Sequence, residues 1–469
     1  MPDGILVMKF GGTSVGTISA VNNVKEIIKD VQKDWSRIVI VLSALSGVTN
    51  LLIDCAEKAS KGQSGVINKT SQELRARHTD MIQAVIRKKS LQTKTQIDID
   101  DLIDKFINLT NAIRILGEST PRALDAIVSL GERFSVRIIA AAFQSNGIRS
   151  EFVDGEKVII TDGQFQNAHP NMEMTERAAG ENLNPLLNSG VIPVVTGFIG
   201  ATQDGITTTL GRGGSDYSAA LIGAALGAKE VWIWTDVDGV MTADPRVVPN
   251  ARTIEELSYR EIAELAYFGA KVLHPKTIRP VIEAGIGLRI CNTFNPHAPG
   301  TMIVENGNNR DNGKIKAVTI IRNQQMITLE GRGMLGIPGV AARTFGAVAS
   351  TGTSVTLISQ ASSEQSICFT TNAEYTPRVL ESLKETFSDE LQRRDIDKIW
   401  ATSPVAIVTV VGAGMRHTPG IAGRVFSALG DQNVNVIAIA QGSSEVSISL
   451  VVDDSEAEDA LLALHKLTE

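Results

Sequence analysis

Lys9 stands two residues before Gly11 and Gly12 in VMKFGGTSVG (residues 7–16), where an apolar run meets a turn that lets the backbone approach a bulky anion. Thr13 or Ser14 is placed to cap a helix beginning near Thr17, which aims free N–H groups and the positive end of a helix dipole at the same anion. The order of residues excludes a Walker A loop, in which the lysine follows the glycines. Alone, the stretch reads either as a phosphate-holding loop or as a tight turn with a solvated lysine. A second loop, TTTLGRGGSDYSAALIGAAL (residues 207–226), sets Arg212 among glycines ahead of a helix whose first turn carries Ser215 and Asp216. The guanidinium fork suits a carboxylate, and the helix start, with Gly213 and Gly214, suits an anion. Glu132, just after Leu130 and Gly131, is either a grip for an ammonium group or a solvated helix glutamate.

These residues need a scaffold that brings them to one edge. Residues 5–8, 37–42, 191–201 and 231–234 are apolar runs of the kind that fill the centre of a parallel sheet. Open α/β sheets bind ligands at the carboxyl ends of their strands. Ser43, Ser46 and Thr49 follow one such strand, either as ligand-facing hydroxyls or as caps for the next helix. Thr235, Asp236, Arg246 and Lys271 follow two more. From residue 51 to about 142 apolar residues recur at helical spacing, with Thr120 as N-cap and Pro121 at the first helical position of a late segment.

The chain has 469 residues, enough for about three domains on a size of roughly 150 residues each. A formal net charge of −7 argues against nonspecific binding to nucleic acid or anionic membranes, so an anionic ligand needs a locally positive pocket. Cys55, Cys291 and Cys368 are far apart and without metal-ligand spacing, as in a cytosolic protein with reduced thiols. No apolar run reaches membrane-spanning length, and the reading expects no leader before residue 1 and no further domain after residue 469.

KFGGTSVG, SLGERFS, TTLGRGGSDYSAA, WTDVDGVMTADPR and FGAKVLHP occur together, in this order, across most of residues 1–300. The set resembles the amino-acid kinase family, and within it the aspartate kinases. The resemblance implies an α/β fold with a mainly parallel sheet between helices, and transfer of the ATP γ-phosphoryl group, with Mg²⁺, to the side-chain carboxylate of L-aspartate. By motif position, Lys9 would stabilise the transferring group with Gly11 and Gly12 adding backbone contacts. Thr49, Glu132 and Arg212 would hold the acceptor beside Ser43, Gly213, Gly214 and Ser215. Thr235, Asp236, Arg246, Lys271 and Val272 would line the nucleotide site. Asp216 either organises Mg²⁺ or the lysines, or caps its helix. Aspartate kinases often have tyrosine where Met241 stands, so no aromatic nucleotide contact is carried over there. Another acyl-phosphate kinase, such as a glutamate kinase, and an inactive amino-acid sensor are the alternatives.

Beyond residue 301 two copies of one unit follow: residues 331–367 align without gaps to 412–448, at an offset of 415 − 334 = 81 between Met334 and Met415. GRGMLG (residues 331–336) mimics a dinucleotide-binding loop, but His417 replaces the third glycine in the second copy and the next strand ends in Gln360 rather than an acid. The repeats resemble ACT domains, βαββαβ modules that bind regulatory amino acids. The second copy is one strand short, which residues 315–321 would supply. The expected division is thus 1–305 for the kinase part, 323–401 for the first module, and 314–322 with 402–469 for the second. Met334, Gln360, Met415 and Gln441 are the candidate regulatory residues. Glutamine at both matched positions favours threonine over lysine as inhibitor, since a neutral amide suits a hydroxyl amino acid. Pairing of such modules implies a homodimer or a dimer of dimers, in the cytoplasm.

Overall fold

The computed structural model describes residues 4–269, 273, 275–305, 313–334, 337–360, 365–415, 418–441 and 446–468. The chain forms two compact units, one of Met1–Val240, Glu255–Tyr259 and Lys271–Asn306, the other of Met241–Ile254, Arg260–Ala270 and Gly307–Glu469.

The first unit is built on an eight-stranded sheet in the order Ser150–Val153, Ile192–Thr196, Arg37–Leu42, Ile5–Phe10, Glu230–Thr235, Gly287–Asn292, Thr301–Val304, Glu256–Ser258. Every pairing is parallel except that of Gly287–Asn292 with Thr301–Val304. Ile5–Phe10 lies near the centre and is buried at all six positions, as five apolar residues require of a strand covered on both faces, with Lys9 the one charged residue among them. One face of the sheet is covered by Val48–Ser60, Ser64–Val85, Lys89–Leu116, Pro121–Val128 and Leu130–Ser145. Leu52, Leu74, Phe106, Ile113, Phe134 and Phe143 share one core with Leu6, Met8 and Ile40 of the strands.

Two local expectations change. Residues 191–201 do not form one strand: Ile192–Thr196 stays in the main sheet, while Ile199–Thr202 joins a separate three-stranded sheet with Ile160–Thr161 and Thr207–Thr209. The chain turns at Gly197 and Phe198, where Phe198 has φ +67° and gives its N–H to Ser218 Oγ at 2.9 Å. A Cβ at Gly197 would lie 2.8 Å from that of Ser215, so this glycine permits the sharp turn against the helix. The other change concerns helix capping. Thr17 itself caps Ile18–Val31, accepting from Ala20 N at 3.1 Å. Ser14 instead meets Thr293 Oγ1 at 2.7 Å, and Gly12–Val15 forms a one-turn helix of its own.

The second unit contains an antiparallel six-stranded sheet in the order Leu357–Gln360, Ser366–Asn372, Ala317–Glu330, Lys398–Val411, Ser447–Asp453, Ala438–Ala440. Ala317–Glu330 serves two neighbourhoods. Residues 317–321 register against 407–411, and residues 324–330 against 366–372, with a register break between them at Asn323, whose φ is +60°. Each repeat has its own core, around Phe369 and Leu383 in the first and around Val425 and Leu461 in the second. Among the described residues no helix is long and apolar enough to cross a membrane.

Candidate active site

The carboxyl ends of Ile5–Phe10, Arg37–Leu42 and Glu230–Thr235 open on a cavity of about 1030 Å³ within the first unit. Lys9, Gly11, Gly12, Ser43, Thr49, Glu132, Arg212, Gly213, Gly214, Ser215, Asp216, Thr235 and Asp236 all line it. Residues spread over more than two hundred positions thus meet because parallel strands end on the same side.

Lys9 is buried, and its Nζ forms an ion pair with Asp216 Oδ1. Asp216 is in the first turn of Gly214–Ala225, whose N-cap, Gly213, takes φ +72°. That left-handed conformation costs little for glycine, and it brings the amino end of the helix to the loop bearing Arg212. Arg212 is exposed at the cavity.

Glu132 is buried on the first turn of Leu130–Ser145. A Cβ at Gly131 would lie 2.8 Å from Ala44 Cβ, so glycine allows the helix to press against the loop after the second strand. The Ala44 N–H then donates to Glu132 Oε1 at 3.2 Å, while Oε2 has no hydrogen-bond partner. Burial pushes the carboxyl up to about 8, with the Ala44 bond opposing it. A buried carboxyl with one unengaged oxygen can take a cationic group, which would supply the missing counter-charge.

Of the remaining expected residues, Arg246 is not among those that line the cavity. Arg246 belongs to the second unit, is exposed, and closes its fork on Asp244, with Nη2 2.5 Å from Oδ2 and Nε 2.9 Å from Oδ1. Lys271 and Val272 lie outside the described residues. Met334 and Met415 are buried in the cores of their repeats, so their side chains serve packing. Gln360 ends an edge strand, Gln441 follows the opposite edge strand, and both are exposed.

The cavity also contains residues that sequence patterns did not single out: Asp125, Gln166, Phe198 and Thr209. Asp125 had one signal, as the lone acid in the otherwise apolar run ALDAIV.

The model of the amino acid kinase family matches residues 4–292, and the ACT domain model matches residues 327–387 and 408–467. The chain belongs to the amino acid kinase family and carries ACT domains. It is 36% identical over 476 residues to aspartokinase 1 of Arabidopsis thaliana chloroplasts, covering 98% of this chain and 79% of that protein. It is 38% identical over 471 residues to the bifunctional aspartokinase/homoserine dehydrogenase of Haemophilus influenzae, covering 98% of this chain and 56% of that one. The chain spans about half the length of the bifunctional relatives it matches. Among solved structures, E. coli aspartokinase III with aspartate and ADP in its R state is similar at a TM-score of 0.80 and 31% identity, covering 98% of this chain and 99% of that one. The same enzyme with lysine and aspartate in its T state gives 0.78 and 32%, covering 99% of this chain and all of that one.

Proposed function

We propose that this chain is an aspartate kinase, transferring the γ-phosphoryl group of ATP to the side-chain carboxylate of L-aspartate to give 4-phospho-L-aspartate. The observation that carries the reading is the meeting in one cavity of the Lys9–Asp216 pair, the half-engaged Glu132 carboxyl and Arg212. An amino-acid acceptor brings an ammonium group for Glu132 and a carboxylate for the Arg212 fork. The remaining carboxylate is the nucleophile. It is already ionised at neutral pH, so no general base is needed, and catalysis reduces to alignment and neutralisation of charge on the transferring group. Lys9 supplies fixed positive charge there, held in place by Asp216. The N–H groups around Gly11 and Gly12 and the start of Gly214–Ala225 add donors for phosphate oxygens.

Mg²⁺ accompanies ATP as a hard cation that takes oxygen ligands, and it lowers the charge of the phosphates when bound. The carboxylates of Asp216 and Asp236 line the cavity and are donors of that kind, so they would hold it.

The test is trapping of the acyl phosphate with hydroxylamine in Mg-ATP, comparing L-aspartate with L-glutamate. Discrimination by one methylene is worth about 1–3 kcal/mol, so a glutamate kinase is separated from the proposed enzyme by preference rather than by exclusion. Absence of product from both acceptors would favour an amino-acid sensor.

The two ACT domains support feedback inhibition by an amino acid. Gln360 and Gln441, at matched positions 441 − 360 = 81 apart, favour threonine. Lysine is the second reading, favoured by the lysine-bound T-state relative. Assembly through ACT domains into a homodimer or a dimer of dimers belongs to the same proposal.

A further inference from the structure

Asp125 is fully buried on Pro121–Val128, and its carboxylate accepts hydrogen bonds from Gln166 and from the end of the strand Thr207–Thr209. Oδ2 accepts the Thr209 N–H at 2.9 Å and the Gln166 N–H at 3.0 Å, while Oδ1 accepts the Thr209 hydroxyl at 2.8 Å. Oδ1 also takes the Gln166 N–H at 3.2 Å, so each carboxylate oxygen faces a backbone N–H that can only donate, and an amide here turns its NH2 toward one of them in either orientation. Burial raises the Asp125 carboxyl, and the bonds from Gln166 and Thr209 oppose it.

The segments so fastened belong to the cavity wall. Thr209 ends its strand three residues before Arg212 (212 − 209 = 3), and its carbonyl accepts the Ala168 N–H at 2.9 Å. Gln166 takes φ +67°, and a Cβ at Gly211 would lie 2.9 Å from its carbonyl oxygen. Asp125 also precedes Glu132 by seven residues (132 − 125 = 7), with Ser129 alone between their two helices.

We propose that Asp125 is a positioning residue for acceptor recognition, fixing the loop that carries Arg212 relative to the helix that carries Glu132. It does so through Thr209 and Gln166, without touching the phosphoryl group. The substrate class, an α-amino acid held at both its ammonium and its carboxylate, rests on the reading given under Proposed function.

The test compares Asp125→Asn, Thr209→Val and Thr209→Ser in the full chain. In D125N the amide nitrogen faces at least one backbone N–H in either orientation, and the KM for L-aspartate is expected to rise at least tenfold while the KM for ATP stays within twofold. T209V removes only the hydroxyl bond and is expected to raise the aspartate KM about threefold to fivefold, with T209S restoring it. Amide hydrogen exchange across residues 207–214 is read in parallel. It is expected to accelerate in D125N and T209V but not in T209S, whatever acceptor the enzyme proves to use. If wild type makes no acyl phosphate from aspartate, the functional reading fails while the exchange data still decide the positioning role. Both KM values rising together, T209S behaving as T209V, or unchanged exchange in T209V would each overturn the proposal, and T209V decides the matter should D125N not fold.

Discussion

The Ala413 N–H donates to Glu261 Oε1 at 2.8 Å, and the matched residue of the first repeat, Arg332 (413 − 332 = 81), gives its N–H to Asp397 Oδ2 at 3.2 Å. The strand registers explain why a distant carboxylate takes part. Lys398 pairs with Glu330 and Ala317 with Val411, and 411 − 330 = 81, so Lys316 stands in the second repeat where Asp397 stands in the first. A base has replaced the acid. Glu261, on Tyr259–Tyr267 and fully buried, restores the acceptor and pairs with Lys316 Nζ at 3.2 Å.

Removing one member of a buried pair costs more than the pair contributes, because a charge remains in an apolar setting. Glu261→Ala is therefore expected to destabilise the second unit by about 3–5 kcal/mol. Urea unfolding of the variant measures this directly. A shift no larger than that of an exposed substitution, within about 0.5 kcal/mol, contradicts the assignment.

Glu132 predicts a pH dependence whose sign is fixed. Its carboxyl is pushed up to about 8 from an ordinary 4.5, so between those values the folded ligand-free protein holds a proton that the unfolded chain has released. Stability from this group is therefore lost as pH rises through that window, by up to about 1.4 kcal/mol per pH unit. Glu132→Gln is expected to flatten the slope. Binding of an ammonium-bearing acceptor ionises the carboxyl, so calorimetry at pH 7 is expected to show proton release to buffer in wild type and none in E132Q. Equal binding enthalpies in buffers of different ionisation heat would count against this.

Lys9→Met is expected to lower kcat by about 10²–10³, the usual cost of removing one preorganised charge from a transition state. The KM for L-aspartate is expected to change less than threefold, since acceptor contacts are assigned to Glu132 and Arg212. Steady-state kinetics separates the two, and a large rise in that KM with little loss of kcat would reverse the assignment.

Gln360→Ala and Gln441→Ala are expected to weaken threonine inhibition at least tenfold while basal kcat stays within twofold. Inhibition curves with threonine and with lysine decide this. Sensitivity to lysine alone, unchanged in both variants, would move the inhibitor to the second reading.

The catalytic fold was legible because its signals are local. Apolar strands, glycine turns and charged residues at strand ends identify a parallel sheet and its ligand edge, and most of the expected residues line the cavity. The sequence was silent where the determinant is a close approach or a partner far along the chain. Nothing local in residues 191–201 marks the turn at Phe198, which depends on Gly197 meeting Ser215. Asp125 and Glu261 look like ordinary helix acids, and only the fold puts Thr209 against one and Ala413 against the other. Nor does the strand-end position of Arg246 announce that its fork closes on Asp244 two residues away.

An α-amino acid seated between Glu132 and Arg212 would turn its side-chain carboxylate toward Lys9. The most direct measurement is the rate of hydroxylamine-trapped acyl phosphate with Mg-ATP and L-aspartate, set against L-glutamate and against succinate, which lacks the ammonium group. Product is expected from L-aspartate with kcat/KM at least tenfold above that for L-glutamate, and almost none from succinate. Equal rates with succinate and aspartate, or no acyl phosphate from aspartate, would contradict this seating.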